Sequence, residues 1–202
     1  MNHRMILLSA MLAIALSVQA QGGDDARYTE AEETKSITHT ISFDVGPAWV
    51  TSKIYAPSGT YKWRTGLELG LEYNAVFKKG YGFGVSVLRN STSYPDGKIT
   101  QFFVGPSFVY AGNFSNKWRG MTEIGLGYSS FSDEYVTHVG IGFKYSVGLE
   151  YMLSDKFGIS AKLRDITVYM GKKDGEDGWR SNKDEVNGVA RLAIQLGACY
   201  HF

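Results

Sequence analysis

Cysteine is almost missing from this chain: Cys199 is the one copy in 202 residues. An intramolecular disulfide is therefore excluded, and so is a metal site built from several thiolates. Proline is scarce at 4 residues, so little interrupts the backbone ladder of an extended structure. Neither sign of charge dominates, because 21 Lys and Arg against 20 Asp and Glu leave a formal net charge of +1. A nucleic-acid partner would call for a basic surface, and none is expected. Long hydrophobic runs are lacking too. The longest, Met5 to Val18, is about fourteen residues, short of the ~20 that a helix needs to cross a bilayer.

That run has another use. A basic start (His3, Arg4) precedes it, and Val18-Gln19-Ala20 offers small residues at the two positions a signal peptidase reads. Residues 1–20 are expected to be a cleaved signal peptide. Residues 21–36 carry Asp24, Asp25, Glu30, Glu32 and Glu33 against Arg27 and Lys35, without apolar periodicity. They are expected to form a flexible acidic arm. Residues 37–202 make up the folded domain.

What the chain has in plenty is glycine, at 24 residues, and aromatics, with 13 Tyr, 11 Phe and 4 Trp. It also alternates. Apolar and polar residues exchange places with a period of two, the repeat of a strand with two unlike faces. Eight such segments are expected, near 36–51, 61–77, 81–88, 99–111, 117–130, 139–153, 156–170 and 188–202. Their connections alternate long and short, which suits an antiparallel up-and-down meander closing first strand to last. The Gly46-Pro47 and Gly105-Pro106 pairs each remove a ladder donor, and bulges are expected there. Arg89 to Lys98 reads as a loop around Pro95-Asp96-Gly97. Alternation slips phase at Asp165, which suggests either a bulge or the end of the apolar band.

Volume decides which face is inside. An eight-stranded barrel has room only for its own side chains or one small ligand. The apolar face holds most of the Phe, Tyr, Trp and Leu, too much to fit. The other face, rich in Gly, Ser and Thr, does fit. It also carries Asp44, Glu68, Glu72, Glu123 and Glu150 against Arg64, Arg119, Lys144, Lys162, Arg164 and Arg191. Facing lipid, each basic group would cost about 2–4 kcal/mol near the midplane. Facing inward, the charges can pair. The predicted fold class is all-β, an eight-stranded antiparallel transmembrane barrel with a polar, glycine-rich interior and an apolar exterior. Cys199 falls on the inner face, as a small filler. Aromatics near the strand ends (Trp49, Trp63, Tyr73, Tyr81, Tyr110, Trp118, Tyr128, Tyr151, Tyr200) resemble interfacial girdles.

From Ser36 to Phe202 the chain resembles the small outer-membrane β-barrels of Gram-negative bacteria, the OmpA/OmpX-like and Bacteroidetes-type proteins. The resemblance implies a cell outer-membrane location, contact with outer-membrane lipid and lipopolysaccharide, and recognition by the outer-membrane assembly machinery. That machinery reads a last strand with a polar residue, a glycine and alternating hydrophobics ending in an aromatic. Gln195, Gly197, Tyr200 and Phe202 stand at those spacings.

Some barrels of this size modify lipid A. The deacylase type uses His-x-Ser, but His3, His39, His138 and His201 are not followed by Ser two residues on. The palmitoyltransferase type uses loop-borne His, Asp and Ser; Ser132, Asp133 and His138 share a loop, a grouping ordinary for loop composition. Asp174-Gly175-Glu176-Asp177-Gly178 lacks the full calcium-loop pattern. No catalytic residue, metal or cofactor is expected. The expected role is a non-enzymatic structural or surface-contact one through the outer loops. The longest loop, Gly171 to Asn187 with Trp179 and Arg180, is the candidate contact, its ligand unspecified. A narrow porin-like channel is the alternative, and a lipid A-modifying enzyme the more distant one.

Overall fold

The computed structural model describes residues 37–52, 54–56, 59–61, 63–95, 97–132, 137–169 and 188–202. The expected signal peptide, the acidic arm and the loop bearing Trp179 and Arg180 lie outside them. The chain forms β1 (Ile37–Val50), a small hairpin of β2 (Ile54–Ala56) and β3 (Gly59–Tyr61), then β4 (Arg64–Phe77), β5 (Tyr81–Tyr94), β6 (Gly97–Asn113), β7 (Trp118–Ser132), β8 (Thr137–Met152), β9 (Phe157–Tyr169) and β10 (Gly188–His201). Eight of these close a barrel in the order β1-β10-β9-β8-β7-β6-β5-β4, and every neighbouring pair is antiparallel. Closure removes the free edges, so backbone polar groups pair within the wall.

The short turns after β4, β6 and β8 lie at one end with both chain ends of the barrel. The opposite end carries the two longest connections, between β1 and β4 and between β9 and β10, beside equally short ones after β5 and β7. The connections therefore do not alternate long and short as expected. At the turn after β4, Gly80 adopts a φ of +88°, a conformation that glycine reaches without strain. The C-terminus is stitched to the first strand: Phe202 N donates to His39 O at 3.0 Å and His39 N to Phe202 O at 3.3 Å.

Burial alternates along most of each barrel strand. Outward residues such as Phe43, Leu71, Phe83, Leu126, Ile141 and Leu196 are exposed, whereas Asp44, Glu68, Lys144 and Gln195 are fully enclosed. Aromatic pairs ring the short-turn end, including Trp118–Tyr151 at 4.9 Å, Phe157–Tyr200 at 4.8 Å and Phe77–Tyr81 at 5.3 Å between centroids.

Three local expectations need correction. Neither Gly-Pro pair makes a bulge: Val45↔Leu196 and Ala48↔Ala193 flank Gly46-Pro47 in one register, as Val104↔Tyr128 and Ser107↔Gly125 flank Gly105-Pro106. The glycine opens the space: a Cβ on Gly46 would lie 2.0 Å from the Ile194 carbonyl oxygen. The lost proline donor therefore interrupts the ladder without adding a residue. The segment after Leu88 is not a loop, since β5 runs to Tyr94 and pairs with β6 from Gly97 onward. The outward residues there, Ser91 and Ser93, are polar, so periodicity fades while the backbone ladder continues. At Asp165 there is no bulge either, because β9 keeps its register with β10 from Phe157 to Tyr169. Ile166 and Val168 point inward and are 1% exposed.

Candidate functional site

Strand length explains why β5 is polar on both faces from Arg89 to Ser93. A strand of 14 residues, such as β4 or β5, rises about 33 Å along the barrel at ~3.3 Å per residue and ~45° tilt. The apolar band of such barrels is only about 25 Å tall. The surplus projects beyond it at the end away from the short turns.

Inside, the side chains stack in layers. Val50, Tyr94, Ile99, Phe131 and Val189 cap the far end, and Leu88, Phe103, Ile166 and Val168 fill the level beneath. A charged layer follows. Nearer the short turns come Val76, Val109, Ala111 and Met121. Inward glycines make this stacking fit: a Cβ on Gly142 would sit 2.7 Å from the Phe103 ring, and one on Gly70 2.9 Å from Leu88.

The charged layer joins side chains from most of the wall. Lys162 Nζ donates to Asp44 at 2.9 Å, Glu72 at 2.6 Å and Ser42 at 3.0 Å. Lys144 Nζ donates to Glu72 at 2.9 Å, to Ser86 at 2.6 Å and to Glu123. Arg164 reaches Glu68 at 3.0 Å, Glu72 at 3.0 Å and Asp44 at 3.2 Å. Arg191 pairs with Glu68 and donates to Gln101 at 2.8 Å. Neutral groups complete the set: Asn74 donates to Glu123 at 3.1 Å and Ser160 to Asp44 at 3.2 Å. A charge buried alone would cost several kcal/mol, and here each has an opposite partner with hydrogen bonds around it.

Three of the expected lumen charges stand apart. Arg119 and Glu150 form their own pair at 3.6 Å near the short turns, beside His201. Arg64 does not join the buried layer. It opens β4 at the far rim, where its guanidinium lies 4.8 Å over the Tyr61 ring. Its parity is that of the lumen, but its height is above the layer.

Of the expected assembly residues, Tyr200 and Phe202 face outward, with ring centroids 5.9 Å apart, and Phe202 also stacks on His39 at 5.5 Å. Gln195 is fully enclosed. Gly197 has a packing role of its own: a Cβ there would lie 2.1 Å from Asp44 Oδ1 and 2.8 Å from Ser160 Oγ. In the loop grouping weighed for catalysis, Ser132 Oγ is 3.0 Å from Thr137 Oγ1, and Asp133 lies outside the described residues.

Sequence reasoning missed the apolar fillers Leu88, Phe103, Val109, Ile166 and Val168. The available signal was parity. Phe103 shares a face with Gln101 and Ser107, and Leu88 with Ser86.

A closed, lipid-facing-out barrel with charges locked in its lumen defines an integral membrane β-barrel. The chain belongs to the outer membrane protein beta-barrel domain family, whose model matches residues 6–202. No curated protein matches the sequence. Among solved structures, the barrel is similar to Neisserial surface protein A, with 16% identity and a TM-score of 0.63, over 81% of this chain and 97% of that one. It is also similar to Ail, the attachment invasion locus protein of Yersinia pestis, with 18% identity and a TM-score of 0.50, over 83% of this chain and 100% of that one. At such identities the likeness is one of fold.

Proposed function

We propose that the protein is a plugged, non-enzymatic barrel of the outer membrane with a structural or surface-contact role. The observation behind this reading is the lumen, where Asp44, Glu68, Glu72, Lys144, Lys162, Arg164 and Arg191 are all at most 1–2% exposed and mutually paired. The apolar levels at either side narrow the path further. An ion crossing the barrel would have to break several buried pairs, each costly to open. The end that holds both chain ends then faces the periplasm, and the end that carries the two longest connections faces outward, as is usual for such barrels. The outer connections are the contact surface, with Trp179 and Arg180 on the longest. Residues 1–20 act as a cleaved export signal, and the Gln195-to-Phe202 stretch as the address for assembly. Outer-membrane lipid and lipopolysaccharide are the immediate surroundings.

Planar-bilayer recording on the refolded protein separates plug from channel. No reproducible conductance steps are expected; stable unitary steps would overturn the plugged reading in favour of a narrow channel. Mass spectrometry of lipid A from a deletion strain tests the non-enzymatic part. An acylation pattern identical to the parent strain's is expected, and a lost modification would contradict it.

A further inference from the structure

Near the short-turn mouth, three side chains of metal-ligating type converge from two strands that are not neighbours in sequence. Glu150 comes from β8, and Cys199 and His201 from β10. One ligand atom from each lies within 4.8 Å of the others, and all three residues are buried, Glu150 at 1%, Cys199 at 2% and His201 at 7% exposure. No sequence motif marks them, because the closed topology is what brings them together.

Polar atoms of this cluster lack hydrogen bonds, and Arg119 faces Glu150 Oε2 only at 3.6 Å. Glu150 Oε1, Glu150 Oε2 and His201 Nε2 make no hydrogen bond among the described residues. The His201 Nε2 to Glu150 Oε2 distance is 3.6 Å. That is too long for a hydrogen bond but close to the ~3.4 Å edge of a tetrahedron with metal–ligand bonds of ~2.1 Å. His201 Nδ1 lies 3.1 Å from Thr40 Oγ1 and 3.3 Å from Arg119 Nη1, so ligation through Nε2 requires Nδ1 to give up the Arg119 contact and donate to Thr40. A ligating histidine needs such a partner to hold its tautomer and angle. A second sulfur is at hand: a Cβ on Gly158 would lie 2.8 Å from Cys199 Sγ and 3.1 Å from Met152 Sδ.

We propose that Glu150, Cys199 and His201 form a binding site for a zinc-like divalent cation at the periplasmic mouth of the barrel. One nitrogen, one sulfur and one oxygen are the donor set of a borderline cation, neither the all-oxygen set of calcium nor an all-thiolate one. Binding displaces the thiol proton of Cys199 to solvent. A dication with a thiolate and a carboxylate is neutral, so the neighbouring Arg119, 3.6 Å from Glu150, meets no net repulsion. The largest separation, 4.8 Å, closes to bonding geometry by a movement of about 1 Å in the side chains. His201 retains 9% of its side-chain surface accessible, which gives an ion a way in. Three protein ligands leave the fourth position open towards that mouth.

The test uses chelator-treated, refolded full-length barrel in detergent, with Zn²⁺ as the probe and gel mobility before and after boiling as the check of folding. One zinc per barrel is expected, weakened at least ~10-fold in Cys199→Ser and His201→Gln, and ~10-fold in Thr40→Val through its hold on the imidazole. Cobalt substitution of the wild type gives a readout that does not depend on variants folding. A thiolate-to-cobalt charge-transfer band is expected in the near ultraviolet. Absence of that band, absence of stoichiometric zinc, or unchanged binding in folded Cys199→Ser would each overturn the site.

Discussion

Glu72 faces three cations at once: Lys144 and Lys162 at 2.9 and 2.6 Å, and Arg164 at 3.0 Å. Removing its charge leaves them with less compensation in a space from which water is largely displaced. Glu72→Gln is expected to destabilise the barrel by about 3–5 kcal/mol, read as a lower urea midpoint for the refolded protein. Replacing a whole pair should be milder. Lys144→Met combined with Glu123→Leu is expected to cost less than Lys144→Met alone, and a double-mutant cycle measures the difference. Gly197 makes the complementary case in terms of volume. With Asp44 Oδ1 only 2.1 Å from where a Cβ would stand, Gly197→Ala must push the carboxylate from its partners, at a cost of about 1–3 kcal/mol by the same urea assay.

At the scale of the strand, β10 combines two tasks on its two faces. Its inward residues, Arg191, Gln195 and Gly197, shape the lumen, while Tyr200 and Phe202 lie on the outside. Phe202 contributes one exposed ring and a ladder contact that does not depend on its side chain. Phe202→Ala is therefore expected to reduce the amount assembled in the outer membrane more than it lowers the urea midpoint of protein already folded. Equal membrane levels of mutant and wild type would contradict that. The strands also show what was legible in the sequence. Where lipid contacts the wall, side chains must alternate, so β8 could be traced almost residue by residue from Val139 to Leu149. Beyond the band, both faces of β5 are polar, and the stretch from Arg89 to Tyr94 looked like a loop although it pairs to its end. Ile166 and Val168 misled for the opposite reason. They are apolar residues on the inner face, which alternation reads as a change of phase. The charged layer could be listed from parity, but its partners depend on height within the barrel. Parity therefore groups Arg64 with charges it does not reach. The Glu150, Cys199 and His201 cluster was invisible for the same reason: β8 and β10 meet only through β9.

For the whole molecule, the decisive property is that the barrel is inside-out relative to a water-exposed one. Its surface is rich in Phe, Leu, Ile and Val, and its interior holds an ionic layer between apolar ones. Stability then rests on lipid outside and on pairing within, so the folded protein is expected to resist detergent and to shift in gel mobility only after boiling. Loss of that shift in a folded preparation would argue against a closed wall. The most direct measurement is depth quenching on β10 in a Cys199→Ser background, with a fluorophore placed at Leu196→Cys or at Gln195→Cys in vesicles of brominated lipid. Strong quenching at 196 and little at 195 is the predicted result; equal quenching at the two positions, or the reverse order, would contradict the inside-out wall on which the account depends.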